Sequence, residues 1–168
     1  MDEEFELLLD PEWLAEGDDE DPPFEAVIGM WPRQPDGTTG RFRSNPEYLP
    51  RYADSPSDPI DALLRLALAG DAEMAQLQAV LRDSLVDLAM NGDGRPLVDR
   101  SPDDVPCLIV TTSAPHRRRV SAPGWRQVAL EELLAILAAD GEALFNPGGP
   151  APVRMSAGFL DETLRAAP

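Results

Sequence analysis

Lysine is absent from this chain: its 14 basic residues are all arginine, set against 31 acidic ones. A phosphate-cradling loop that ends in lysine is therefore excluded. Cysteine occurs once, at Cys107, which rules out an internal disulfide and a cysteine-based zinc site. Histidine also occurs once, at His116, so a histidine-rich metal centre is excluded. No apolar run approaches the ~20 residues that a membrane-spanning helix needs. The uncharged stretches between Asp104 and Arg117, and between Glu142 and Arg154, are both cut by proline. The first residues are acidic, with no basic segment ahead of an apolar one, so no signal peptide is expected and the expected location is the cytoplasm. No Gly-x-Ser-x-Gly elbow occurs.

What is present suits one domain of ordinary size with a terminal extension: 168 residues, 43% of them hydrophobic. The 18 prolines are about twice the usual ~5% share, so loops take up much of the chain. The charge is unevenly placed. Residues 1–25 hold 12 acidic side chains and no basic one, whereas the remaining 143 residues carry 19 acidic and 14 basic. Binding to a nucleic-acid backbone or an anionic membrane is disfavoured, because both need net basic surface. Residues 1–23 read as a mobile acidic tail, in which Asp10 can cap a short helix over Pro11–Ala15. Such a mixture of carboxylates and apolar residues also suits an arm that docks on a basic partner.

Beyond Pro23 the pattern is that of a folded domain over 24–168. Phe24–Trp31 reads as a strand and Asp36-Gly37 as a hairpin turn, with Arg41-Phe42-Arg43 as the return strand of a hairpin over 24–48. Asp58-Pro59 opens a helix whose apolar residues Ile60, Leu63, Leu64, Ala67 and Leu68 recur at helical spacing before Gly70. A second helix is predicted over Asp71–Leu81, a third over Leu130–Ala139, and a last one after Ser156. Strands are predicted over Leu85–Met90, Pro96–Val98, Val105–Thr111, Ala143–Phe145 and Val153–Met155. Val105–Thr111, β-branched and uncharged, is the expected central strand. The class is α+β: a single domain of mixed, largely antiparallel sheet with about four helices.

Constellations that carry chemistry are scarce. His116 lies in Pro115-His116-Arg117-Arg118-Arg119 and reads as an exposed connector residue beside three guanidinium groups. The arginine trio can bind an acidic partner or fold back on the tail. Asp103-Asp104 and Glu131-Glu132 are adjacent carboxylates, whose side chains diverge on any regular element. Asn91-Gly92-Asp93-Gly94 has turn chemistry and lacks the closing glutamate of a calcium loop. Cys107 reads as an inert core thiol. No catalytic residue, metal or cofactor is expected, and the chain is not expected to be an enzyme.

Three segments in series carry a resemblance. They are Val27–Trp31 with Asp36-Gly37, Phe42–Tyr48 and Ser57–Asp61; then Val105–Ser113; then Val128–Leu137 with Phe145–Pro150. Their order resembles the actinobacterial type VII secretion system-associated proteins, whose C-terminal half is similar to the SseB-like domain. Phe42 departs from the family, which usually places tryptophan there, and the connector after Tyr48 is less regular. The resemblance implies a cytosolic accessory protein and carries no established catalysis. A Tyr-x-x-x-Asp/Glu export signal is missing, since Tyr52 follows Tyr48 and Pro56 follows Tyr52 at the fourth position. That favours a helper over a cargo.

The expected function is therefore a non-enzymatic protein-binding accessory or adaptor, with an acidic immunity or antitoxin protein acting on a basic toxin as the alternative. Its partner is expected to be a protein: a secretion component, a cargo or a toxin. Candidate contact residues are Trp13, Trp31, Phe42, Asn45, Pro46 and Tyr48 near the hairpin, with Asn146, Pro147, Gly148 and Gly149 in the later turn. Turn formation and strand termination are the readily expected roles of the Asn-Pro pairs, with recognition as the alternative.

Overall fold

The computed structural model describes residues 3–13, 17 and 20–166. Two sheets and a helical layer make a single compact α+β fold. In the first sheet, β1 (Phe5–Leu9), β2 (Val27–Pro32) and β3 (Arg43–Ser44) lie in the order β1-β2-β3, antiparallel throughout. The hairpin expected over 24–48 is present as β2 and β3, although Phe24–Ala26 forms a 3-10 turn ahead of the strand.

The second sheet has the order β7-β4-β6-β8-β9, and β5 also pairs with β6. Its strands are β4 (Leu85–Met90), β5 (Val98–Arg100), β6 (Pro106–Thr111), β7 (Gly124–Ala129), β8 (Glu142–Phe145) and β9 (Val153–Ser156). β6 is central, as its composition predicts. It runs parallel to β8, and every other pairing in this sheet is antiparallel. Pro96 and Leu97 meet β4 only briefly, and Val98–Arg100 then crosses to β6.

Among the described residues five α-helices accompany the sheets: α1 (Pro59–Ala69), α2 (Met74–Arg82), α3 (Ala114–Arg117), α4 (Leu130–Ile136) and α5 (Ala157–Arg165). Asp58 caps α1 by accepting from the Asp61 amide, Pro59 occupies its first turn, and Gly70 ends it with φ of 79°. Ser156 caps α5 through the Phe159 amide.

Strand alternation divides the apolar side chains between two faces. Val86, Leu88, Val110 and Phe145 join Leu63, Leu81, Leu133 and Leu160 of the helices in the main core. Ala89, Cys107, Ile109 and Leu144 face the other way, beneath Val105, Val120 and Trp125. Cys107 is 1% exposed, and burial pushes its thiol up, away from the reactive thiolate.

Two expectations need correction. Phe5–Leu9 is a paired strand rather than part of a free tail, because alternation sends Leu8, 4% exposed, into the core. Pro11-Glu12 forms a turn, with the Glu12 amide on Asp10 Oδ1 at 2.9 Å; Leu14 and Ala15 of the expected short helix lie outside the described residues. The second correction concerns the connector after Thr111, which contains α3 and begins β7 at Gly124.

Candidate functional site

Parts of the segments that carry the resemblance converge in space. Ser57–Asp61 lies at the start of α1. Thr112-Ser113 and Asn146–Gly149 follow the parallel pair β6 and β8 at their carboxyl ends. Asn146 is fully buried and left-handed, with φ of 52°, so that its side chain reaches across to Thr112. The Thr112 amide donates to Asn146 Oδ1 at 3.0 Å. Asn146 Nδ2 lies 3.0 Å from Thr112 Oγ1, and that hydroxyl donates onward to Asp58 Oδ2 at 2.7 Å. Ser57 and Ser113 join through their hydroxyls at 2.7 Å.

At the centre lies a buried histidine–aspartate contact absent from the sequence reading. His116 is 2% exposed, and its Nε2 is 3.1 Å from Asp61 Oδ2. This overturns its assignment as an exposed connector residue. Ser113 precedes the single turn of α3 and Pro115 sits in its first positions, which aims His116 inward. Gly149 makes room for the ring: a Cβ there would lie 3.1 Å from His116 Nδ1. The sequence signal for α3 is Ser-Ala-Pro, a helix-start pattern hidden ahead of an arginine run.

Asp58, Asp61 and His116 offer ligand atoms within 4.8 Å of one another, a donor set with chemistry suited to a divalent cation. The carboxylate oxygens of Asp58 and Asp61 are already engaged. Asp61 receives Arg65 Nε at 3.1 Å, Arg65 Nη2 at 2.9 Å and the Ser57 amide at 3.2 Å. Asp58 receives Thr112 and Ser57 hydroxyls and the Asp61 amide. A guanidinium therefore holds the place a dication needs. Among the described residues no hydroxyl hydrogen-bonds His116, so Ser57 and Ser113 gain no general base from it. The cluster is a polar knot joining α1, α3 and the ends of β6 and β8.

The arginine run adds to this knot rather than to the tail. Arg117 faces Asp87 at 3.6 Å, while Arg119 faces Asp54 at 3.6 Å and donates to the Gly148 carbonyl.

The N-terminal candidates occupy a second place. Asn45 is 7% exposed and donates to the carbonyls of Phe24 and Val27 at 2.9 and 2.8 Å, so it ties the chain entering β2. The Tyr48 hydroxyl lies 3.0 Å from Asp10 Oδ2 and 2.8 Å from the Pro56 carbonyl, and has one hydrogen to share between them. Burial and the Asp10 charge push its ionisation well up. Trp31 is 4% exposed and stacks on the half-buried Phe42, with centroids 4.7 Å apart. Gly29 admits that ring, since a Cβ there would collide with it. Trp31, Asn45 and Asn146 thus have no free face for a partner, and they hold the scaffold instead.

Trp13 is different. With Pro23, Leu49 and Pro50 it lines an open groove of about 350 Å³, edged by Asp10, Glu25 and Arg51. Phe24, Leu49 and Tyr52, the last carrying Arg51 over its ring, are 50, 66 and 56% exposed nearby. Glu12, bonded to Ser55 Oγ at 2.7 Å, latches the arm beside this groove. Pro46 and Gly148 are exposed, and Pro147 and Gly149 half-buried.

Fold and site together define an α+β domain with a latched acidic arm and an aromatic groove beneath it. No family model, curated protein or solved structure matches the chain. No described helix is long and apolar enough to cross a membrane.

Proposed function

We infer that this chain is a non-catalytic, protein-binding accessory module associated with type VII secretion, and that it takes its partner on the groove beside the acidic arm. The observation that carries the reading is the coincidence of exposed Phe24, Leu49 and Tyr52 with the segment where 12 acidic residues meet no basic one. Aromatic and aliphatic side chains supply desolvated contact area, and surrounding carboxylates select a partner with arginine or lysine at its rim. The link to secretion rests on the resemblance of the three segments alone.

The test is affinity capture from native actinobacterial cytosol with the full chain and with a Trp13→Ala, Leu49→Asp, Tyr52→Ala variant, followed by mass spectrometry. A secretion component or cargo retained by the parent and lost from the variant is the expected result. Equal retention by both proteins would remove the groove from the reading. Capture of a small basic toxin would replace the accessory role with immunity.

A further inference from the structure

We propose a second binding site, built for a different mode: the outer edge of β9 accepts an extended, apolar and basic partner segment as an added strand. β9 is the last strand in its sheet. The Ala157 amide bonds Gly141 O at 3.0 Å, with Met155 opposite Ala143 and Val153 opposite Phe145. Antiparallel alternation then points the N–H and C=O of Arg154, and the N–H of Ser156, away from β8. Among the described residues no strand takes them up.

Both residues line a groove of about 420 Å³ whose apolar wall includes Leu64, Leu68, Met74, Leu77, Met155 and Phe159. Leu68 is 65% and Met74 49% exposed, so two large side chains stand beside a free edge. Strand addition uses this combination: main-chain hydrogen bonds hold the segment, and a pocket takes alternate side chains. Edge strands are commonly guarded by a charge. Here the guard is disarmed, because Arg154 is paired with both Asp103 and Glu142.

Charge selects the occupant. That arginine with two carboxylates leaves one net negative charge, and the loop between α1 and α2 adds Asp71 and Glu73 next to Leu68 and Met74. A segment with large apolar residues alternating with arginine or lysine meets both features. A second copy of the chain is disfavoured, since it brings the same acids and a net charge of −17.

The experiment titrates the full-length, ¹⁵N-labelled protein with a capped peptide of alternating leucine and arginine. Controls are the same peptide N-methylated at every second amide, and a leucine–glutamate peptide. Saturable shifts at Arg154, Ser156, Leu68 and Met74, abolished by N-methylation, are expected. Leu68→Glu should weaken the affinity by about ten-fold or more while the melting temperature stays unchanged. Equal binding of the N-methylated or acidic peptide overturns the proposal. So do shifts confined to the arm groove, which would instead favour the site of the proposed function, and so does concentration-dependent self-association at the edge.

Discussion

Asp58 and Asp61 stand three residues apart at the start of α1, and their surroundings push them in opposite directions. Burial raises the Asp58 carboxyl above its ordinary range against the hydrogen bonds it accepts from Asp61 and Thr112. Burial acts upward on Asp61 too, but the close contact with His116 and the hydrogen bonds from Arg65 outweigh it and hold that carboxyl below its ordinary value of 3.8. A depressed value means that Asp61 contributes stability fully above the unfolded pKa, and that this is lost as pH falls through the lower folded value. Asp58 has the reverse sign: acid relieves the cost of its buried charge. Asp61→Asn leaves Arg65 and His116 without their carboxylate, and should cost about 3 kcal/mol at neutral pH while flattening the acid limb of the melting curve. Asp58→Asn keeps an equally good cap and should stay within about 0.5 kcal/mol of the parent. Thermal unfolding between about pH 3 and 7 checks both, and equal losses at the two positions would contradict this account.

At the level of elements, β1 is where sequence and structure part. Helix α1 is legible because cap, proline, apolar spacing and Gly70 all agree, and β6 because it is uncharged and ends in the β-branched Ile109, Val110 and Thr111. β1 lacked such agreement. Five residues among carboxylates read as tail, since the partner that makes them a strand lies at Val27–Pro32. The polar knot was hidden for the same reason. Ser57–Asp61, Val105–Ser113 and Phe145–Pro150 are distant from one another in the sequence, and only the parallel pairing of β6 and β8 brings two of them side by side. The packing of β1 makes a clear forecast. Leu8→Ala should cost about 2–3 kcal/mol in urea unfolding, because it empties a core position. Phe5→Ala, at a side chain that is 36% exposed, should cost much less. Comparable losses would mean that β1 is held by its outer face. Truncating the chain at Pro23 removes β1 entirely, so a lost partner after that truncation would report on folding as much as on binding; the groove substitutions avoid this.

For the whole molecule, salt acts on folding and on association with opposite signs. The free chain carries −17, with 12 of its acids in the first 25 residues. Ion pairs such as Arg33–Glu6 and Arg41–Asp83 lie at the surface and contribute little, so the long-range effect is self-repulsion. Screening that repulsion should raise the melting temperature between about 50 and 500 mM NaCl, as the Debye length contracts to a few ångströms. The same screening weakens the attraction of a basic partner to the arm, and charge steering is expressed mainly in the association rate. Stopped-flow mixing of the chain with its captured partner should therefore show the association rate falling by about ten-fold over that range, with the dissociation rate changing far less because exposed Phe24, Leu49 and Tyr52 supply the apolar contacts. A rate of association indifferent to salt would separate the acidic arm from recognition and leave the aromatic groove to act alone.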